Sequence, residues 1–114
     1  MKKKLLTLLI FGALSASLIA CGKEVQLNDN NVRAAKSIIK TVDAYLEGDI
    51  DADTAHEKIE NEYYNIDEAD ENYIYFSSNA LTIKIELSRM SFDGGGDVSR
   101  IKENRNDIAE LIGE

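Results

Sequence analysis

From Asn31 to Glu47 the apolar side chains fall at Val32, Ala35, Ile38, Ile39, Val42, Tyr45 and Leu46, a helical stripe rather than an alternation. Such a stripe commits the chain to packing helix against helix, because one helix cannot keep its own apolar side from water. Asn30 or Asn31 can cap its start, and Gly48 stands just past the last apolar pair, where a C′ glycine belongs. A second stripe follows at Ala52, Ala55, Ile59, Tyr63 and Ile66, with Asp51 as N-cap and Ile50 placed to staple onto Ala55. Only a few residues separate the two, so the expected unit is an antiparallel helical hairpin.

The segment from Tyr73 to Phe92 reads two ways. Leu81, Ile83, Ile85 and Leu87 alternate with Thr82, Lys84, Glu86 and Ser88 as in a strand. Phe76, Ala80, Ile83, Leu87 and Met90 also make a helical row, opposed by Ser78, Thr82, Glu86 and Arg89, with Leu81 and Ile85 on a second side. No other segment alternates over a comparable length, and a lone two-stranded ribbon is marginal in water, so helix is the expectation. The run Asn65–Asn72 between them reads as a solvated connection. Asp93–Gly96 breaks the chain, and Asp97 or Ser99 can cap a last helix carrying Val98, Ile101, Ile108, Leu111 and Ile112, ended by Gly113. As a phosphate cradle this glycine run lacks a preceding strand and a following Gly-Lys-Ser/Thr, so it reads as a flexible turn. Without Pro or Trp, the chain is expected to be all-α, a small helical bundle starting with an antiparallel hairpin. The alternative is α+β, with residues 73–88 as a β-hairpin.

The opening residues, MKKKLLTLLIFGALSASLIACGK, differ in kind. Three lysines precede an apolar run from Leu5 to Ile19, then small residues lead into Cys21, the layout of a secretory signal. Leu18-Ile19-Ala20-Cys21 resembles the lipobox of bacterial lipoproteins. That resemblance implies cleavage between Ala20 and Cys21 and a diacylglyceryl group on the Cys21 sulfur, with acyl chains such as palmitate giving a stable anchor at about 0.8 kcal/mol per buried methylene. The expected organisation is a signal peptide at 1–20, a lipidated tether at 21–30 and a helical domain at 31–114. Removing residues 1–20 leaves 10 basic against 21 acidic residues, a net charge of −11. Such a chain repels nucleic acid, stands off an anionic lipid surface and suits a protein partner with a basic surface.

Cys21 and His56 are the sole cysteine and histidine, so neither an internal disulfide nor a Cys/His zinc cluster is available. The stretch GDIDADTAHEKIE sets carboxylates at Asp49, Asp51, Asp53 and Glu60, positions 1, 3, 5 and 12 of a calcium loop. Thr54 stands where such a loop needs glycine, and the residues from Ala52 onward make a good helix start. Carboxylates at a helix N-terminus need no metal, since they complement its dipole. The pairs Asp67/Glu68 and Asp70/Glu71 could be offered as catalytic acids, but no apolar setting is visible around them. Tyr63, Tyr64, Tyr73 and Tyr75 flank them, at a core edge or an interface.

The sequence therefore points to a non-enzymatic, lipid-anchored binding or accessory protein on the extracytoplasmic face of a bacterial membrane, without cofactor and with an unidentified protein partner. The alternative is an extracellular calcium- or cation-binding lipoprotein using Asp49, Asp51, Asp53 and Glu60.

Overall fold

In the computed structural model, which describes residues 24–114, four helices form where the apolar spacing asks for them. They are α1 (Asp29–Leu46), α2 (Ala52–Tyr64), α3 (Tyr73–Asp93) and α4 (Val98–Leu111). Each packs on the next, and α4 closes against α1, so the described residues form an all-α up-and-down bundle. The β-hairpin alternative for residues 73–88 is overturned, because they lie within a single helix. Residues 1–23, and with them the expected signal peptide, cleavage site and Cys21, lie outside the described residues.

The core is aliphatic with one aromatic. Ile38 and Val42 of α1, Ile59 of α2, Phe76, Ile83 and Leu87 of α3, and Ile101 and Ile108 of α4 are fully buried. Each such side chain contributes about 1.5–3 kcal/mol from burial, which is what makes so short a chain worth ordering. The second side expected of α3 is not covered: Ile85 remains 45% exposed. Glu86, expected on the polar side, is instead buried, its Oε1 accepting the backbone N–H of Asp97 at 2.9 Å. Arg89 and Arg100 approach its other oxygen at 3.8 and 3.6 Å. A buried carboxylate is tolerable when it is both hydrogen-bonded and paired.

The bundle has two unlike ends. At one, α1 stops in a Schellman turn, with Asp49 N–H donating to the Ala44 carbonyl and Gly48 N–H to that of Tyr45. Gly48 adopts φ 83° there, a conformation that strains any residue with a Cβ. Asp51 then caps α2 and Asp97 caps α4, accepting from the N–H groups of Thr54 and Arg100. The Asp93–Gly96 turn is built rather than merely flexible: a Cβ at Gly96 would collide with the Glu86 carbonyl oxygen and come within 2.7 Å of Met90 Cγ.

At the other end, the helix start falls earlier than expected. Asn28, not Asn30 or Asn31, caps α1, accepting from the N–H of Asn31. The stretch read as tether already belongs to the domain from Gln26 onward. Gln26 N–H donates to the Leu111 carbonyl at 2.8 Å, Leu27 is buried, and the Gln26 carbonyl accepts from Asn72 Nδ2 at 2.6 Å.

Candidate functional site

The end where the chain enters the bundle joins two buried polar side chains, Asn31 and Asp70, in one network. Asn31, fully buried, reaches from α1 to the loop between α2 and α3. Its Nδ2 donates to the Asp67 carbonyl at 3.0 Å and to Asp70 Oδ2 at 3.1 Å, while its Oδ1 accepts from Asp67 N–H at 2.8 Å. One amide thus has its acceptor and both donor hydrogens engaged, as a buried polar group must. Asp70 Oδ2 also accepts from Asn28 N–H at 2.8 Å, and its Oδ1 from Asn72 N–H at 2.9 Å. Asp67 Oδ1 accepts from Ala69 N–H at 3.0 Å, and its Oδ2 from Asn28 Nδ2 at 3.0 Å.

Burial pushes the Asp70 carboxyl upward, and Asp67 adds to that push. The N–H groups of Asn28 and Asn72 and the Asn31 amide outweigh both and hold it below its ordinary range. Asp67 is also held low, chiefly by the Ala69 N–H and then by Asn30 and Asn28. These are carboxylates fixed in the ionised form, the opposite of what a general acid requires. The loop expected to be solvated is therefore partly buried, with Ile66 and Asp70 both 8% exposed. Its neighbours Glu68 and Glu71 do face solvent.

The four carboxylates of the calcium-loop spacing go to separate tasks. Asp51 caps α2, accepting from Thr54 N–H at 2.8 Å, and that bond lowers its pKa. Asp53 accepts from Ser91 Oγ at 3.3 Å, Glu60 pairs with Lys84 at 3.5 Å, and Asp49 is exposed. Among the described residues no three His, Cys, Asp or Glu side chains form a group able to hold a metal ion. Of the tyrosines, Tyr63 and Tyr73 pack against the core, while Tyr64 and Tyr75 are 71% and 54% exposed.

The grooves between helices are shallow and polar-rimmed. One between α1 and α2, of about 590 Å³, is lined by Asn30, Arg33, Ser37, Glu62, Asn65 and Asp67. Ser37 Oγ crosses it to donate to Glu62 Oε2 at 2.8 Å. On the far side of α1, Asp43 holds the Arg105 guanidinium of α4 through two bonds of 2.9 and 3.0 Å, raising the arginine's pKa. Ser37–Glu62 and Asp43–Arg105 thus tie α1 to its two neighbours. The remaining surface feature is apolar: Ile74, Tyr75, Ile85 and Phe92 of α3 are exposed, Phe92 by 89%.

Among the described residues, no helix is long and apolar enough to cross a membrane. No protein-family model, curated protein or solved structure matches the chain.

Proposed function

We propose that this protein is a lipid-anchored extracytoplasmic binding or accessory module of a bacterial envelope, acting by contact rather than by catalysis. The observation that carries the reading is the N-terminal sequence, three lysines and an apolar run ending at Leu18-Ile19-Ala20-Cys21. The fold supplies a mechanical counterpart. Cys21 lies five residues before Gln26, where the chain is first tied to the bundle, a reach of at most about 18 Å. A lipid on Cys21 therefore keeps the Asn28–Asn31–Asp70 end of the bundle within a short tether of the bilayer. Confinement of this kind raises the local concentration of the module toward partners in the same membrane. The buried polar groups Asn31, Asp70 and Glu86 all have partners within the fold, which supports a scaffold for recognition over an active site.

Cys21→Ser in the producing cell tests the anchor. The expected result is an uncut precursor that takes up no labelled palmitate, whereas the native chain is shortened and labelled. A variant still cut after Ala20 and still found in the same membrane fraction overturns the reading.

A further inference from the structure

The outer side of α3 carries Ile74, Ser78, Leu81, Ile85, Ser88 and Phe92, at successive spacings of 4, 3, 4, 3 and 4. Phe76 and Ile83 are fully buried on the opposite side, so the core fixes the rotation of α3 and turns this stripe outward. Ile74, Ile85 and Phe92 are 76%, 45% and 89% exposed, Ser78 and Ser88 are exposed, and Leu81 is half-buried. Alternating 3 and 4 is the spacing with which one helix meets another along a knobs-into-holes seam. From Ile74 to Phe92 the seam runs about 27 Å at 1.5 Å per residue.

We propose that α3 pairs antiparallel with α3 of a second copy of this chain, about a two-fold axis at the level of Ile83. A two-fold interface requires that if one position meets another, the reverse also holds. The stripe meets that requirement: positions equidistant from residue 83 are Ile74 and Phe92, Ser78 and Ser88, and Leu81 and Ile85. Antiparallel pairing thus sets large apolar side chains against one another and serine against serine at every level.

Charge also favours self-pairing. Acidic residues outnumber basic ones 21 to 13, so two copies repel over most of their surface. The stripe and its flanking positions, Tyr75, Thr82 and Arg89 on one side and Ser77, Lys84 and Ser91 on the other, contain no carboxylate. In the antiparallel arrangement like flanks face each other. Arg89 then comes beside Tyr75 of the second copy, a cation–π contact, while the two Lys84 near the axis are each already paired with their own Glu60. A partner selected for a basic surface would find no carboxylate of α3 here, and the nearest of α2, Asp53 and Glu60, already bonded to Ser91 and Lys84. The pairing does not depend on the lipid anchor. In an anchored protein the two α3 axes lie along the membrane, so that both chains reach it.

Two differently tagged full-length copies, one Ser78→Cys and the other Ser88→Cys, are produced together, and disulfide-linked dimer is measured in native membranes. The expected yield is at least tenfold above that of an exposed Lys102→Cys control and of Ser78→Cys alone. Adding Ile85→Glu, at an already exposed position, abolishes the dimer while circular dichroism stays helical. A yield equal to the Lys102→Cys control overturns the pairing. Linkage as strong with Ser78→Cys alone overturns the antiparallel arrangement, and linkage only to a protein of another mass overturns the second copy as occupant.

Discussion

At the end of the bundle nearest the N-terminus, the loop from Asn65 to Asn72 is gripped by Asn28 and Asn31, whose bonds to it cross 36 to 42 positions of sequence. At the opposite end, the turns at Glu47–Asp51 and Gly94–Asp97 are closed mainly by neighbours: Ala44, Tyr45, Thr54, Glu86, Met90 and Arg100. The first arrangement ties the incoming chain, the middle loop and, through Gln26 and Leu111, the end of α4 into one polar knot. The second consists of separate caps. Damage at the knot is therefore shared among several elements, whereas damage at a cap stays within one turn.

Asn31→Ala is the largest expected break in that contrast. It orphans the Asp67 N–H and removes one donor each from the Asp67 carbonyl and Asp70, which keep the N–H groups of Asp70 and of Asn28 and Asn72, at a cost of about 3 kcal/mol. Urea denaturation of residues 22–114 followed by circular dichroism measures it, and hydrogen exchange should show loss of protection at the start of α1, the middle loop and the end of α4 together. Gly96→Ala should cost about 2 kcal/mol, because the added carbon meets backbone rather than a movable side chain, with exchange changes confined to the end of α3 and the start of α4.

Asp70→Asn should cost about 1.5 kcal/mol at neutral pH, since an amide turns a donor toward at least one N–H group. It also sharpens the comparison through acid. Asp67 and Asp70 have folded pKa values below the ordinary carboxylate value of about 3.9. Their contribution is therefore complete above that value and lost as pH falls through the lower folded values. The native protein should lose stability below about pH 4, and Asp70→Asn should show a shallower acid limb. Asp51→Ala, which removes one local cap, should cost least of the four, with effects restricted to the first turn of α2 in hydrogen exchange.

Much of the cap end is legible in the chain itself. Gly48 ending α1 follows from glycine's ease at positive φ, and Asp51 opening α2 and Asp97, one of two candidates, opening α4 follow from side chains bonding backbone three residues away, a chemistry that travels with short sequence. The buried row Phe76, Ala80, Ile83 and Leu87 is legible for a similar reason, since helical period and burial coincide. Met90 at its end is only half-buried. The knot was not legible. Asn28, Asn31, Asp67 and Asp70 read as polar residues of a tether, a cap and a solvated loop, because nothing in the spacing of residues 31 and 70 records that they meet. Glu86 misled for the same reason: its burial depends on Asp97 and Arg100 folding back over it. Of the candidate site residues, Asp51 and Glu60 could be assigned to a helix, but Glu60's pairing with Lys84 needs α2 laid beside α3.

By itself the sequence located the helices at either side of residues 73–88, left that segment open between helix and hairpin, placed the cap-end turns, and carries the Leu18–Cys21 stretch on which the proposed anchor rests. Helical period, glycine conformation and capping are local, and each acts within a turn or two of chain. Only the tertiary structure decided which polar residues are buried and which apolar ones are not. Asn31 goes in and Phe92 stays out because the surrounding helices, not the residue's own hydropathy, determine what each side chain meets.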